Sequence, residues 1–103
     1  MIDKIKRKFL SGDYRFTIHS LERGIERGIS PEEILEVIIS GEIIEEYSRD
    51  KYGPSCLIFG KTRQGRIIHV HCSLDPIWVI TVYDPTLKTD EWEKDFKRRR
   101  RNP

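Results

Sequence analysis

The change of hydrophobic period at Gly41 constrains this chain more than any other feature. Before it, apolar residues recur at helical spacing. After it they fall into short alternating blocks, rich in Ile, Val and aromatics and bounded by Gly, Pro and Asp. Helices followed by a run of strands select an α+β plan over the regular alternation of a parallel sheet. At 103 residues there is room for one domain, 1–103, built on one core.

In the helical part, residues 3–11 predict a short amphipathic helix. Ile2, Ile5 and Phe9 share one face, Lys4, Lys6, Arg7 and Lys8 cover the rest, and Ser11-Gly12-Asp13 ends it. Tyr14-Arg15-Phe16 is brief and extended. Thr17 is a candidate N-cap for a helix from Ile18 to Arg27. At 100° per residue, Ile18, Leu21 and Ile25 form one apolar stripe, and His19, Arg23 and Arg27 form a row on a largely opposite side. Gly24 costs up to about 1 kcal/mol there relative to Ala, which points to close approach by another segment. Gly28 suits the C′ position. Ser30-Pro31-Glu32-Glu33 starts the next helix: Ser30 caps, Pro31 takes the first position, and Glu33 closes a capping box. Ile34, Leu35, Ile38 and Ile39 give it a broad apolar face, and Gly41 ends it.

Four strands follow: Glu42 to Ser48, Ser55 to Gly60, Arg66 to Ser73 and Ile77 to Tyr83. Their links are a polar loop from Arg49 to Pro54, a glycine-containing hairpin from Lys61 to Gly65, and the turn Leu74-Asp75-Pro76. Such short links predict an antiparallel meander. Asp84-Pro85 breaks the sheet. Thr89 then caps a last helix from Asp90 to about Arg99, with Trp92 and Phe96 at i, i+4. The expected fold is thus α+β: N-terminal helices on a four-stranded antiparallel sheet, with a C-terminal helix.

Charged residues make up 35% of the chain, against 37% hydrophobic, with a net charge of only +2. The excess of Ile, Glu, Lys and Arg over Ala, Gln and Met is a bias of heat-adapted proteins. Charge is unevenly placed. Residues 1–28 carry seven bases and four acids, 30–50 one base and seven acids, and 51–103 eleven bases and six acids. The acidic stretch from Glu32 to Glu46 could meet a basic partner protein or a second copy of the chain. Lys97 to Arg101 is a run of five cations, and residues 97–103 read as a basic, disordered tail suited to a nucleic acid backbone. The opening MIDKIKRKF lacks the apolar run of a secretory signal, and no apolar stretch approaches the ~18 residues of a membrane span. Cys56 and Cys72, without a CxxC pattern, then read as a reduced core pair in a cytoplasmic protein.

Strand alternation sorts the other histidines. Ile68, Val70 and Cys72 point one way; Ile67, His69 and His71 point the other. On the last strand Trp78, Ile80 and Val82 oppose Val79, Thr81 and Tyr83. With the apolar sets against the helices, His69, His71, Thr81 and Tyr83 share the other face, close enough to touch across paired strands. Such a set suits metal-independent cleavage of RNA. A base takes the ribose 2′-OH proton, the oxygen attacks the adjacent phosphate, a cation steadies the transition state, and an acid protonates the leaving 5′-oxygen. His19, His69, His71 and Tyr83 are eligible for the proton transfers, and Arg23, Arg27 and Arg66 for the phosphate. An ordinary half-polar sheet face and a solvated helix face are the plain alternatives. A small zinc site through His69 and His71, with His19 as third ligand, is a further one, although Asp75 sits in the turn and no carboxylate completes it.

The pieces FTIHSLERGIERGIS, GRIIHVHCS and ITVYDP, in this order, resemble a family of small prokaryotic domains of unknown function, over roughly Tyr14 to Pro85. That family is similar to toxins of the RelE/ParE type, and its members are frequently encoded beside small antitoxins. The resemblance implies a RelE/barnase-like fold and a cytoplasmic toxin of a toxin–antitoxin system. It also implies a metal-independent endoribonuclease without cofactor, acting on RNA, with a cognate antitoxin and the ribosome as partners. The matched positions are His19, Arg23, Arg27, Arg66, His69 and Tyr83, with His71 following the matched His-Val step. The expected site is therefore His19, His69 and Tyr83 for catalysis, with Arg23, Arg27, Arg66, His71, Arg98 and Arg99 holding RNA. The competing expectation is a non-catalytic nucleic-acid- or protein-binding module.

Overall fold

The computed structural model describes residues 1–49, 51 and 53–101. Asp50 and Tyr52 of the expected polar loop, and Asn102 and Pro103 of the expected tail, lie outside the described residues. Among those described there are three α-helices and five strands: α1 Ile2–Leu10, β1 Arg15–Phe16, α2 Ile18–Arg27, α3 Pro31–Ser40, β2 Glu42–Tyr47, β3 Ser55–Lys61, β4 Ile67–Ser73 and β5 Trp78–Tyr83. A 3₁₀ turn, Pro85–Leu87, follows. No helix is long and apolar enough to cross a membrane, among the described residues.

The expected helix starts and stops are present. Thr17 accepts from the Ser20 N–H, and Gly28 sits at φ 64°. The Gly28 and Ile29 N–H groups return to the Ile25 and Gly24 carbonyls, a Schellman ending. Ser30 and Glu33 close a full capping box.

The sheet differs from the expected four-stranded antiparallel meander. It has five strands in the order β1-β5-β4-β3-β2, and it is mixed. The meander β2-β3-β4-β5 is antiparallel, but the extended Tyr14-Arg15-Phe16 segment supplies β1, parallel to β5 with Arg15 opposite Trp78. Two residues carry no strand signal of their own. They pair because Thr17 turns the chain into α2 directly over β5, where its hydroxyl donates to the Val79 and Ile80 carbonyls.

One face of the sheet carries the core. Ile58, Ile68, Val70 and Cys72 of β3 and β4 cluster with Ile34, Val37 and Ile38 of α3 and with Ile5 and Phe9 of α1, while Val82 of β5 lies under α2. Gly41 and Gly60 let α3 approach β3 closely: a Cβ on Gly60 would lie 2.0 Å from the Val37 carbonyl oxygen. Cys56 and Cys72 are buried, reduced and directly opposed, with Sγ atoms 4.0 Å apart. On β5 the expected alternation breaks. A bulge pairs His71 with Thr81 but Cys72 with Val79, so Val79 joins Val82 in the core and Ile80 is the extra residue.

Two further expectations are overturned. Ile18, Leu21 and Ile25, read as the apolar stripe of α2, are 76%, 45% and 83% exposed. The buried side is Ser20 and Gly24. Small residues let the helix axis come close to β5, and the apolar stripe is left outside. The C-terminal helix is absent as well. From Lys88 to Arg101 the chain is a strap of turns, folded back on itself by an antiparallel bridge between Trp92 and Arg99. Phe96, expected at helical spacing from Trp92, has φ 57°, which no right-handed helix contains. Residues 97 to 101, expected as a loose tail, are part of this strap.

Candidate nucleic-acid interface

β4 and β5 present His69, His71, Thr81 and Tyr83 on the face away from the helices, with His69 opposite Tyr83 and His71 opposite Thr81. The strap divides this face into a covered half and an open half.

His69 lies in the covered half and is fully buried. The Trp92 ring meets it edge to face at 4.5 Å, with Phe59 and Tyr83 on other sides. Its Nε2 is 2.6 Å from the Phe96 carbonyl oxygen and its Nδ1 is 3.1 Å from the Tyr83 hydroxyl. A carbonyl only accepts, so Nε2 carries the proton and Nδ1 accepts from Tyr83. Burial pulls the imidazole down to about 4 against the opposing pull of the Phe96 bond, so His69 is neutral at pH 7. Tyr83, raised by burial to about 12, keeps its proton.

The strap is held by charge as well as by Trp92. Lys97 meets Glu42 at 3.2 Å and sits over the Phe59 ring. Arg99 stacks 4.6 Å over Trp92 and gives two hydrogen bonds to Glu45. Burial alone would raise the Glu45 carboxyl, but the bonds from Arg99 and Tyr47 outweigh it and hold Glu45 ionised. Tyr47 donates to Glu45, and burial together with that bond raises the phenol to about 12. Trp92 Nε1 is buried without a hydrogen-bond partner among the described residues.

The open half is a cleft of about 400 Å³, lined by Tyr47, Arg49, Lys51, Leu57, His71, Thr81, Tyr83 and Arg99. It holds three cations, and no acid among the described residues lines it. His71 is half-buried there, with Nε2 2.9 Å from the Ser55 hydroxyl and its ring edge to face with Tyr47 at 5.3 Å. Cations beside aromatic faces attract phosphates and give bases a stacking surface.

The other expected residues lie elsewhere. α2 packs on the opposite face, where Gly24 approaches Val82, so the sheet separates His19 from His69, His71 and Tyr83. His19 is exposed. Arg23 makes a bidentate pair with Glu26, and Arg27 donates to the Val82 carbonyl at 2.7 Å. Arg66 is a clasp: Nε bonds Asp84, and Nη1 and Nη2 bond the Gly28 and Arg27 carbonyls at the end of α2. Arg98 pairs with Asp95 on the strap surface. Among the described residues no three His, Cys, Asp or Glu side chains converge as metal ligands, and both His69 nitrogens are engaged. Tyr47, Arg49 and Lys51 were missed from the sequence. Strand alternation alone can put Tyr47 on the face of Leu57 and His71, but the loop before β3 leaves its register open.

Residues 16–84 match a family described as a domain of unknown function, DUF4258. The chain belongs to this family. The DUF4258 match runs from Phe16 of β1 through α2, α3 and the whole meander and ends just after β5, so Trp92 and Arg99 lie beyond it. No curated protein and no solved structure matches the chain. None of these comparisons links the chain to RelE/ParE-type toxins.

Proposed function

We propose that the open half of the sheet face binds RNA and that the protein is a metal-independent endoribonuclease of the toxin type. One observation carries this: Arg49, Lys51 and Arg99 line a single cleft with His71 and the Tyr47 and Tyr83 rings. In this reading the cations hold a phosphodiester. His71, the histidine that lines the cleft, takes the 2′-OH proton as the oxygen attacks phosphorus. Tyr83, protonated at neutral pH, gives a proton to the leaving 5′-oxygen. His69 positions Tyr83 by accepting its hydrogen bond.

The test is incubation of the purified protein with mixed-sequence RNA in EDTA, beside His71→Ala, Tyr83→Phe and His19→Ala. The expected result is cleavage lost by the first two and kept by the third. Cleavage lost only with His19→Ala moves the site to α2. A second reading, binding without cleavage, is favoured by one detail: both phenol protons are already committed, Tyr83 to His69 and Tyr47 to Glu45. It predicts RNA binding without product, including when ribosomes are added. The toxin–antitoxin role rests on the resemblance. It predicts growth arrest on expression that Arg49→Ala and His71→Ala relieve.

A further inference from the structure

We propose that the strap completes the cleft: Glu45 and Trp92 are positioning residues that hold the Arg99 guanidinium there as a phosphate-binding cation. This deepens the reading of the cleft as a phosphate site and rests on it. Arg49 and Lys51 come from the loop between β2 and β3, inside the residues that match the family. Arg99 comes from the strap, beyond them. A long cationic side chain on an irregular segment loses much of its binding worth to its own freedom unless something fixes it.

Backbone, ring and carboxylate each fix this one. The antiparallel bridge sets Arg99 opposite Trp92. On either side of it the Glu93 N–H donates to the Arg98 carbonyl at 2.8 Å and the Arg100 N–H to the Glu91 carbonyl at 2.9 Å. The Trp92 ring lies 4.6 Å from the guanidinium carbon and is itself anchored edge to face on His69. Glu45 accepts from Nε at 2.9 Å and from Nη2 at 3.2 Å, a fork that sets the plane of the guanidinium and leaves Nη1 outside the pair. Register puts the acid in reach. Glu45 opposes Leu57, Leu57 opposes His71 and His71 opposes Thr81, so one row runs across the sheet from the carboxylate to the cleft. Glu45 ends that row outside the cleft lining and acts on a ligand through Arg99. An acid beside an anion site weakens binding by repulsion. Here its removal would free the cation that the site uses, and the sign of its effect is reversed.

Titration of the full chain with inorganic pyrophosphate at low salt, followed by the amide shifts of His71 and Thr81, tests this. The wild type is expected to bind, and Arg99→Ala to bind about tenfold more weakly. Glu45→Ala is expected to weaken binding several-fold although it removes a negative charge. In the Arg99→Ala background the same change is expected to strengthen binding or leave it unaltered, because only the repulsion remains. Trp92→Ala should follow Arg99→Ala, and Trp92→Phe, which keeps an aromatic face for the stack, should recover most of the loss. Tighter binding by Glu45→Ala with Arg99 present overturns the proposal, and so does an equal loss with and without Arg99. Pyrophosphate that leaves the His71 and Thr81 amides unmoved overturns it as well. The expected pattern with pyrophosphate, together with no binding of a 2′-O-methyl RNA, removes the RNA reading and keeps the roles of Glu45 and Trp92.

Discussion

The two faces of the sheet are covered by different means. On one, α3 with α1 behind it closes over Ile58 and Val70, and α2 over Val82, through regular helices whose caps are encoded locally. On the other, an irregular strap covers His69 with one tryptophan and two ion pairs, and leaves a cationic cleft open beside it. The helix side spends its residues on packing and has little polar chemistry. The strap side holds the buried histidine, the raised phenols and the cationic cleft. Substitutions should therefore act on stability on the first face and on ligand and proton behaviour on the second.

The largest expected effect is on the helix side. Gly60→Ala would set a methyl 2.0 Å from the Val37 carbonyl, which cannot move without lifting α3 from β3. A loss of about 3–4 kcal/mol in urea unfolding is expected. A loss under about 1 kcal/mol would mean that the two elements are loosely coupled. On the strap side, Trp92→Ala should cost less, about 2 kcal/mol, because the strap can release without opening the core. Its signature is electrical: the His69 titration, followed by NMR, should rise from about 4 toward its ordinary 6.5.

The same histidine gives stability a pH dependence of comparable size. Unfolded His69 takes up a proton below about 6.5, while the folded chain resists until about 4. Stability is then expected to fall by on the order of 2–3 kcal/mol as pH drops from 6.5 to 4. His69→Gln should flatten that window. Glu45 and Asp84, held low in the folded state, lose their contributions only further down, as pH falls through the carboxylate range. The smallest effect is on α2. Ile25→Ser, at a position 83% exposed, should change stability by less than about 0.5 kcal/mol. A cost of 2 kcal/mol or more would put the stripe back in a core.

The contrast between α3 and α2 shows what was legible in the sequence. Both helices were bounded correctly, because Ser30, Glu33, Thr17 and Gly28 are local signals. α3 buries Ile34 and Ile38 of its expected face together with Val37, leaving Leu35 half-buried and Ile39 exposed, whereas α2 leaves its whole apolar stripe outside. In α2 close approach decided the matter: Ser20 and Gly24 fit against β5 where Ile18 and Ile25 would not. Gly24 was the available hint, since a costly glycine inside a helix needs a neighbour. The shared face of His69, His71 and Tyr83 was readable from period-2 alternation across a short turn. Its division was not, because the residues that cover His69 lie in a segment whose Trp92 and Phe96 imitate helical spacing. The parallel strand β1 was unreadable for a related reason: its partner is more than sixty residues away.

The most direct test of the central claim is amide chemical-shift mapping at low salt with a short single-stranded RNA, using a non-cleavable 2′-O-methyl backbone. Shifts centred on Tyr47, Arg49, Lys51, His71, Thr81 and Arg99, and lost with added salt, are the predicted result. Shifts centred on His19, Arg23 and Arg27 of α2, or none at all, would contradict it.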